Sequence, residues 1–281
     1  MDIQIIADTS CDLTPALANV LRVALVSFKL NIGSDTFIDD AALDVKQLIA
    51  AMKAYKGAAA TACPSPDEFA ECMRKAKESF VITISSHLSG CYNSAMVARD
   101  MVLEEDPTRK IHMFDSESAS AGETRIALLL RDMIDAKLPF EEIVTRGTEF
   151  IRTMRTRFVL EDLGNLIKNG RISKAAGLLG TMLNLRPIMS EDGHGEIICI
   201  EKVRGTQNSM RRLVEIISET TQNVAQGSLT MVLSYCNCTE RATELKKDIL
   251  AKCTAFDKVI MVPTAGLSTV YANDGGVVLA Y

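Results

Sequence analysis

The sequence predicts two α/β domains, the first a doubly wound, mostly parallel sheet. Three observations predict it. The short runs Ile3–Ala7, Val23–Phe28, Phe80–Ile84 and Lys110–Phe114 are largely apolar and do not alternate, as expected of strands covered on both faces. Stretches with helical spacing lie between them, and strand alternating with helix makes βαβ units. At 281 residues the chain is also long for one domain.

The elements follow in chain order. Strand Ile3–Ala7 leads to a helix over Pro15–Leu21, then to strand Val23–Phe28. Helical spacing returns over Asp44–Tyr55 and Pro66–Ala76, ahead of strand Phe80–Ile84. Helix Ser94–Leu103, strand Lys110–Phe114 and helices Glu123–Ala136 and Glu141–Met154 complete the first half. A break near residue 156 separates a domain of residues 1–156 from one of residues 157–281. No Pro/Gly/Ser-rich linker, internal repeat or low-complexity segment marks it. Beyond the break, Phe158–Leu160 reads as a strand, and Asp162–Lys168 and Ser173–Leu183 as helices. Asp192-Gly193-His194-Gly195 is a turn before strand Ile197–Ile200. Helix Gln207–Gln222, strand Ser228–Tyr235, helix Glu240–Cys253, strand Lys258–Val262 and a terminal strand Gly276–Tyr281 finish the chain.

Composition narrows the function. The net charge is −5, Trp is absent and aromatic residues make up 5%. A nucleic-acid binder would carry a basic stripe or stacking rings, so none is expected as a partner. The start, Met1-Asp2-Ile3-Gln4-Ile5-Ile6, lacks the basic and long apolar regions of a signal peptide. No apolar stretch approaches the roughly 18–20 residues of a membrane span. The expectation is a cytoplasmic protein without stable membrane insertion. The eight Cys and three His (His87, His112, His194) are not spaced as zinc ligands, and no C-x-x-C pair occurs. In a reducing cytosol such Cys act as small buried hydrophobes; no metal is expected.

Three strand ends of the first half share one chemistry, small hydroxylic residues followed by a helix. They are Asp8-Thr9-Ser10-Cys11-Asp12-Leu13-Thr14, Ser85-Ser86-His87-Leu88-Ser89-Gly90-Cys91-Tyr92-Asn93 and Asp115-Ser116-Glu117-Ser118-Ala119. Ligands of parallel sheets bind at the carboxyl ends of strands. Hydroxyls and free N–H groups there suit an anion, and Gly90 would allow close backbone approach. Ser, Thr and Asp are equally the favoured helix caps, so each cluster also reads as structural. Asp8 and Asp115 read as capping and loop acceptors rather than metal ligands.

The same residues carry a resemblance to the DegV family of bacterial fatty-acid-binding proteins. Asp8-Thr9-Ser10-Cys11-Asp12-Leu13 is similar to the D-S-T-x-D-L start of that family. Thr61-Ala62-Cys63-Pro64-Ser65-Pro66 resembles T-S-Q-P-S-P, and Ser85–Ala95 resembles S-S-x-L-S-G-T-Y-x-S-A. Asp115-Ser116 matches a D-S. Leu163–Ser173 resembles L-x-x-L-x-K-G-G-R-I-S, Arg186-Pro187-Ile188 resembles K-P-I, and Lys202-Val203-Arg204 resembles K-x-R. The match runs in order along the whole chain, and the third and fifth blocks are its most specific parts.

The resemblance implies two α/β domains with the ligand cleft between them and one long-chain fatty acid buried there. It implies that Thr61 and Ser89 hold the carboxylate, beside Ala62 and Gly90. It implies a carrier without a cofactor or catalytic residue, one that presents its lipid to a separate fatty acid kinase. Arg171 and Arg204 lie in matched blocks and read as kinase-docking or phosphate-contacting residues, or as ordinary surface charges. The chain departs from the family at Ala62, where a hydroxyl is usual, and at Tyr271, where the family's A-H-x-G-x-G places a carboxylate-binding His. A phenol still donates one hydrogen bond but brings no positive charge near neutral pH.

The apolar stretch Ala175–Leu183 combines small residues with Leu and Met, and the chain holds 13 Met. Met adapts to an uneven ligand, and equally well to an ordinary core. One competing reading is a Ser-dependent hydrolase or acyltransferase using Ser89, with His87 near; no G-x-S-x-G elbow supports it. A second is a nucleotide or phosphosugar enzyme; neither G-x-x-x-x-G-K-[ST] nor G-x-G-x-x-G occurs.

Overall fold

The structure, a computed structural model, describes residues 3–172 and 184–281. The predicted helix Ser173–Leu183, and with it the stretch Ala175–Leu183, lies outside the described residues.

The first half is wound on four strands, β1 (Ile3–Asp8), β2 (Val23–Val26), β6 (Glu78–Thr83) and β7 (Lys110–Asp115), in the order β2-β1-β6-β7 and all parallel. The chain steps from β1 outward to β2, then crosses back to β6 and β7. It is therefore doubly wound, with its switch point beyond β1 and β6. Helices α1 (Pro15–Leu21), α2 (Val45–Ala54), α3 (Pro66–Met73), α4 (Cys91–Glu105), α5 (Ala121–Asp135) and α6 (Phe140–Thr153) connect the strands. Local chemistry sets their starts. Thr14 accepts from Leu17 N ahead of Pro15, Asp44 accepts from Lys46 N and Gln47 N, and Ser65 with Glu68 forms a capping box.

A small antiparallel sheet, which the sequence pattern does not announce, joins β3 (Lys29–Ile32), β4 (Asp35–Ile38) and β5 (Ala60–Ala62) in the order β4-β3-β5. Its strands are too short for any period to show.

The second half carries six strands in the order β10-β9-β8-β13-β11-β12. They are β8 (Thr156–Val159), β9 (Ile188–Glu191), β10 (Ile197–Glu201), β11 (Leu229–Tyr235), β12 (Phe256–Pro263) and β13 (Val277–Ala280). Only β11 and β12 pair in parallel. The described helices are α7 (Gly164–Lys168), α8 (Thr206–Thr221), α9 (Thr239–Lys252) and α10 (Gly266–Ala272). The short α10, like β9, is absent from the sequence reading.

Helix α5 lies between the two large sheets, against β1 and β6 on one side and β11 and β13 on the other. Its apolar residues Ile126, Ala127, Leu130 and Ile134 are buried in one cluster with Ile5 and Phe80 of the first sheet and Phe158, Val232 and Val278 of the second. A core shared in this way couples the halves. Leu130→Ala should cost about 2–5 kcal/mol, the range for such a truncation. Urea unfolding followed by hydrogen exchange should show both large sheets losing protection together. A variant in which one sheet keeps its wild-type protection would show that the cores are separate.

Candidate functional site

A cavity of about 870 Å³, open mouth included, lies at the switch point. Its walls come from every layer of the fold. Ser10 follows β1; Ile84, Leu88 and Ser89 follow β6; and Ser118 to Ser120 follow β7. Thr156 and Phe158 of β8, Val278 of β13 and the β9–β10 hairpin close the opposite side, and α10 supplies Leu267, Ser268, Tyr271 and Ala272. Most of the surface is apolar, contributed by Phe28, Ile84, Leu88, Phe158, Leu160, Leu166, Ile197 and Val278.

One corner is polar. Thr61 Oγ1 and Tyr271 Oη are 3.1 Å apart and share one hydrogen bond, although 210 positions separate them in sequence. One of the pair donates to the other, so one hydroxyl proton is left for a third group. Ser89 lies on the same cavity and its Oγ accepts from Cys91 N at 3.2 Å. It caps α4 through a lone pair and keeps its own proton to give. The cap and ligand readings of Ser89 are therefore compatible. Arg171 also lines the cavity, where its Nε donates to Leu88 O at 2.9 Å and its Nη1 to Asn169 O at 2.6 Å. These bonds fix a cation on the cavity wall.

The other residues singled out from sequence stand elsewhere. Ala62 is exposed on β5, the neighbour of Thr61 and so on the opposite face of the strand. Gly90 is the exposed N-cap of α4 with φ −71°, and a side chain there would meet nothing within 4 Å. Arg204 is exposed, bridged through its backbone to Leu185, and off the cavity wall. Asp8 and Asp115 serve as loop acceptors. Asp8 takes Ser10 N and Ile84 N, both at 2.8 Å, and Asp115 takes Ser86 N and Glu117 N. The His87 ring is half-exposed and faces Glu196, with Nδ1 3.5 Å from the carboxylate. Ser85 gives its hydroxyl to Gly195 O. Among the described residues, no base is therefore bonded to the Ser85 or Ser89 hydroxyl as a Ser nucleophile needs.

Sequence reasoning missed Thr156, Glu191, Glu196 and Ser268, which line the cavity from the second half. No motif surrounds them. Gly195, read as part of a turn, has a closer role. With φ +90° it brings the hairpin against the first half, where a Cβ would strike Ser85 Oγ and come within 3.0 Å of Glu117 Cα.

Carboxyl groups buried behind the cavity hold its loops. Asp12 Oδ1 accepts from Ala265 N, and the two oxygens of Asp39 accept from Gly266 N and Leu267 N, each at 2.7 Å. Burial pushes Asp8, Asp12 and Asp39 up to about 6, against the pull of their hydrogen-bond donors. Glu123 on α5 is buried without a hydrogen bond of normal geometry to either oxygen. Burial first, then the nearby Asp8 charge, pushes it well above the usual carboxylate range, with the Ser10 hydroxyl acting in the other direction.

The fold and the cavity define an α/β binding protein with an apolar chamber and a hydroxyl-lined corner. Comparison with known proteins agrees. The profile of the DegV family, described as uncharacterised proteins, matches residues 2–281. A DegV domain-containing protein of Streptococcus pneumoniae is 33% identical over 281 residues, 99% of this chain and 98% of the relative. The crystal structure of a DegV family protein from Ruminococcus gnavus with vaccenic acid superposes with a TM-score of 0.93 at 34% identity, covering 100% of both chains. The Fatty Acid Kinase B3 protein of S. pneumoniae, loaded with linoleic acid, superposes at 0.92 with 33% identity, over 100% of this chain and 99% of that one. The chain belongs to the DegV family.

The raised carboxyl of Glu123 has a measurable consequence. The folded state holds its proton to higher pH than the unfolded chain does. Its contribution is therefore complete below the ordinary carboxylate range and lost as pH rises through the raised value. Glu123→Gln should flatten the fall in melting temperature as pH rises from the ordinary carboxylate range toward the raised value. A variant that loses stability with pH as steeply as the wild type would place the titration elsewhere.

Proposed function

We propose that this protein is a carrier for one long-chain fatty acid, which it presents to a separate fatty acid kinase in the cytoplasm. The acyl chain fills the cavity. The carboxylate sits at the corner of Thr61, Tyr271 and Ser89, with Arg171 beside it. The observation that carries this reading is the Thr61–Tyr271 pair at the edge of an otherwise apolar chamber. The acyl groups named for the two structures compared above support it.

The energetics fit. The chamber is lined mostly by apolar side chains, as small-molecule sites are. Burying a dozen methylenes contributes on the order of 10 kcal/mol at about 0.8 per CH₂. The head group then needs hydrogen bonds rather than catalysis. The spare protons of the hydroxyl pair and of Ser89 provide them, and no cofactor or catalytic residue enters the reading. Exposed Arg204 is assigned to kinase docking. Ala62 and Gly90 shape the strand and loop that carry Thr61 and Ser89. A division near residue 156 leaves the cavity between two domains. No helix among the described residues is long and apolar enough to cross a membrane, in keeping with lipid carriage rather than insertion.

Lipid extraction and mass spectrometry of protein purified from a bacterial host should release about one fatty acid per chain. Complete delipidation should lower the melting temperature, because an empty apolar cavity is destabilising. Delipidated protein that melts like the loaded form would contradict the reading.

Tyr271→Phe should weaken carboxylate binding by about 1–3 kcal/mol, as should Ser89→Ala, the range for a hydrogen bond to a charged group. Thr61→Val keeps the β-branched shape and should behave alike. With a methyl ester of the same chain the losses should shrink. Equal losses for acid and ester would mean that these hydroxyls only pack.

A further inference from the structure

We propose a second ligand site, for a phosphate-type dianion, at the pole of the molecule opposite the cavity. The cavity lies beyond the carboxyl ends of the parallel strands. The second site lies at the amino end of β1, where α1 and α5 both terminate. A recess of about 550 Å³, open mouth included, is lined there by Ile3, Arg22, Arg131, Ile134, Asp135 and Lys137. Three cations face it against one carboxylate.

Arg131 is the anchor. It is only 9% exposed, and its Nε is buried without a hydrogen-bond partner among the described residues. Such an orphaned donor is costly, and more so on a charged group. Its Nη2 meets Asp135 Oδ1 at 2.6 Å, but the Asp135 side chain is 68% exposed. A pair reaching into solvent in this way offsets little of the burial of a guanidinium. Among the described residues, Arg131 alone of the three cations has an ion-pair partner.

The ordinary explanation for basic residues here is that they neutralise helix C-termini. Backbone groups already do that work. Arg22 N reaches Ala18 O and Asn19 O, Ala136 N reaches Asp132 O, Leu138 N reaches Met133 O, and Lys137 N reaches Ile134 O. Arg22 and Lys137 both take the left-handed conformation in capping these ends, with φ of 53° and 59°. Their side chains remain as charges at the recess. A guanidinium held in place, with two further cations at the recess, suits the charge of a phosphoryl group. Ile3 and Ile134 supply the apolar walls, and no aromatic ring is present to stack a base. The ligand class is therefore inorganic phosphate or a small phosphomonoester.

The test uses the full chain in its purified, lipid-loaded form. Inorganic phosphate, and in a second arm glycerol 3-phosphate, is titrated at ionic strength held constant with chloride. The readouts are the arginine Nε–H resonances and the melting temperature. A saturable shift of the Arg131 resonance is expected, with a rise in melting temperature that chloride alone does not give. Saturation by phosphate alone marks a free-phosphate site, and saturation by the ester marks a phosphomonoester site; either supports the proposal. Arg22→Gln and Lys137→Gln are exposed changes that leave the core intact. Each should weaken binding about tenfold, the equivalent of one charge-assisted hydrogen bond. Bound fatty acid should not change. A linear response matched by chloride, or unaltered affinity in the double variant, would overturn the proposal.

Discussion

Two aspartates of the first half act as the N-terminal cap of a helix that follows more than two hundred positions later. The seven residues of α10 are too few to hold a helix alone, and its leading N–H groups face the interior rather than water. Buried N–H groups must find acceptors. Asp39 takes two of them and Asp12 the one before, and their charge also favours that end of the helix dipole. A Cβ on Gly266 would fall 2.6 Å from the Asp39 oxygen, so glycine is what permits the approach. Asp8 does the same for the loop after β6 by binding Ile84 N. Tyr271 and Ser89 reach one cavity because these carboxylates fix the loops that carry them. The corner thus depends on bonds that touch no ligand.

The cavity stays apolar although serines and threonines line it, because most of those hydroxyls are occupied elsewhere. Ser120 gives its proton to Asp12. Ser268 turns to Ser10 O, and Ser118 gives its proton to Ala119 O while Thr156 gives its own to Ser118. A hydroxyl whose proton is already committed presents mainly its carbon atoms to a guest. The Thr61–Tyr271 pair and Ser89 differ in holding protons not so committed among the described residues. Polarity in the lining is therefore decided by hydrogen-bond accounting more than by residue type.

That distinction marks the limit of the sequence. The doubly wound first sheet was legible because β1, β2, β6 and β7 are buried runs separated by helical spacing, a pattern that depends on local order alone. The motifs around Thr61, Ser85 to Ser89 and Arg171 were legible as blocks. The resemblance put Thr61 and Tyr271 at one carboxylate, but local pattern could not show their contact, because it needs β5, β3 and α10, elements of three to seven residues that carry no periodic signal. Thr156, Glu191 and Ser268 were invisible for a related reason: each reaches the cavity through a sheet register set by long-range pairing. Asp8, read from sequence as a capping and loop acceptor, is buried and serves the loops, as Asp12 does.

Tyr271, which the resemblance sets at the place of a histidine, follows the same logic in the carrier reading. In the carrier reading, the corner offers neutral hydroxyls, and the fixed positive charge comes from Arg171, whose charge does not change across the physiological range. Among the described residues no histidine lines the cavity. His87 faces Glu196 on the outside, and His112 packs on Phe114 in the first half, with burial lowering its pKa. A histidine at the corner would couple ligand affinity to protonation between about pH 5 and 8. Hydroxyls with an arginine remove that coupling at the corner. In the carrier reading, Tyr271 thus gives a head-group corner without a histidine's titration, at the cost of a weaker single contact. The apolar chamber can absorb that cost, since a few additional buried methylenes offset the loss of one charged hydrogen bond.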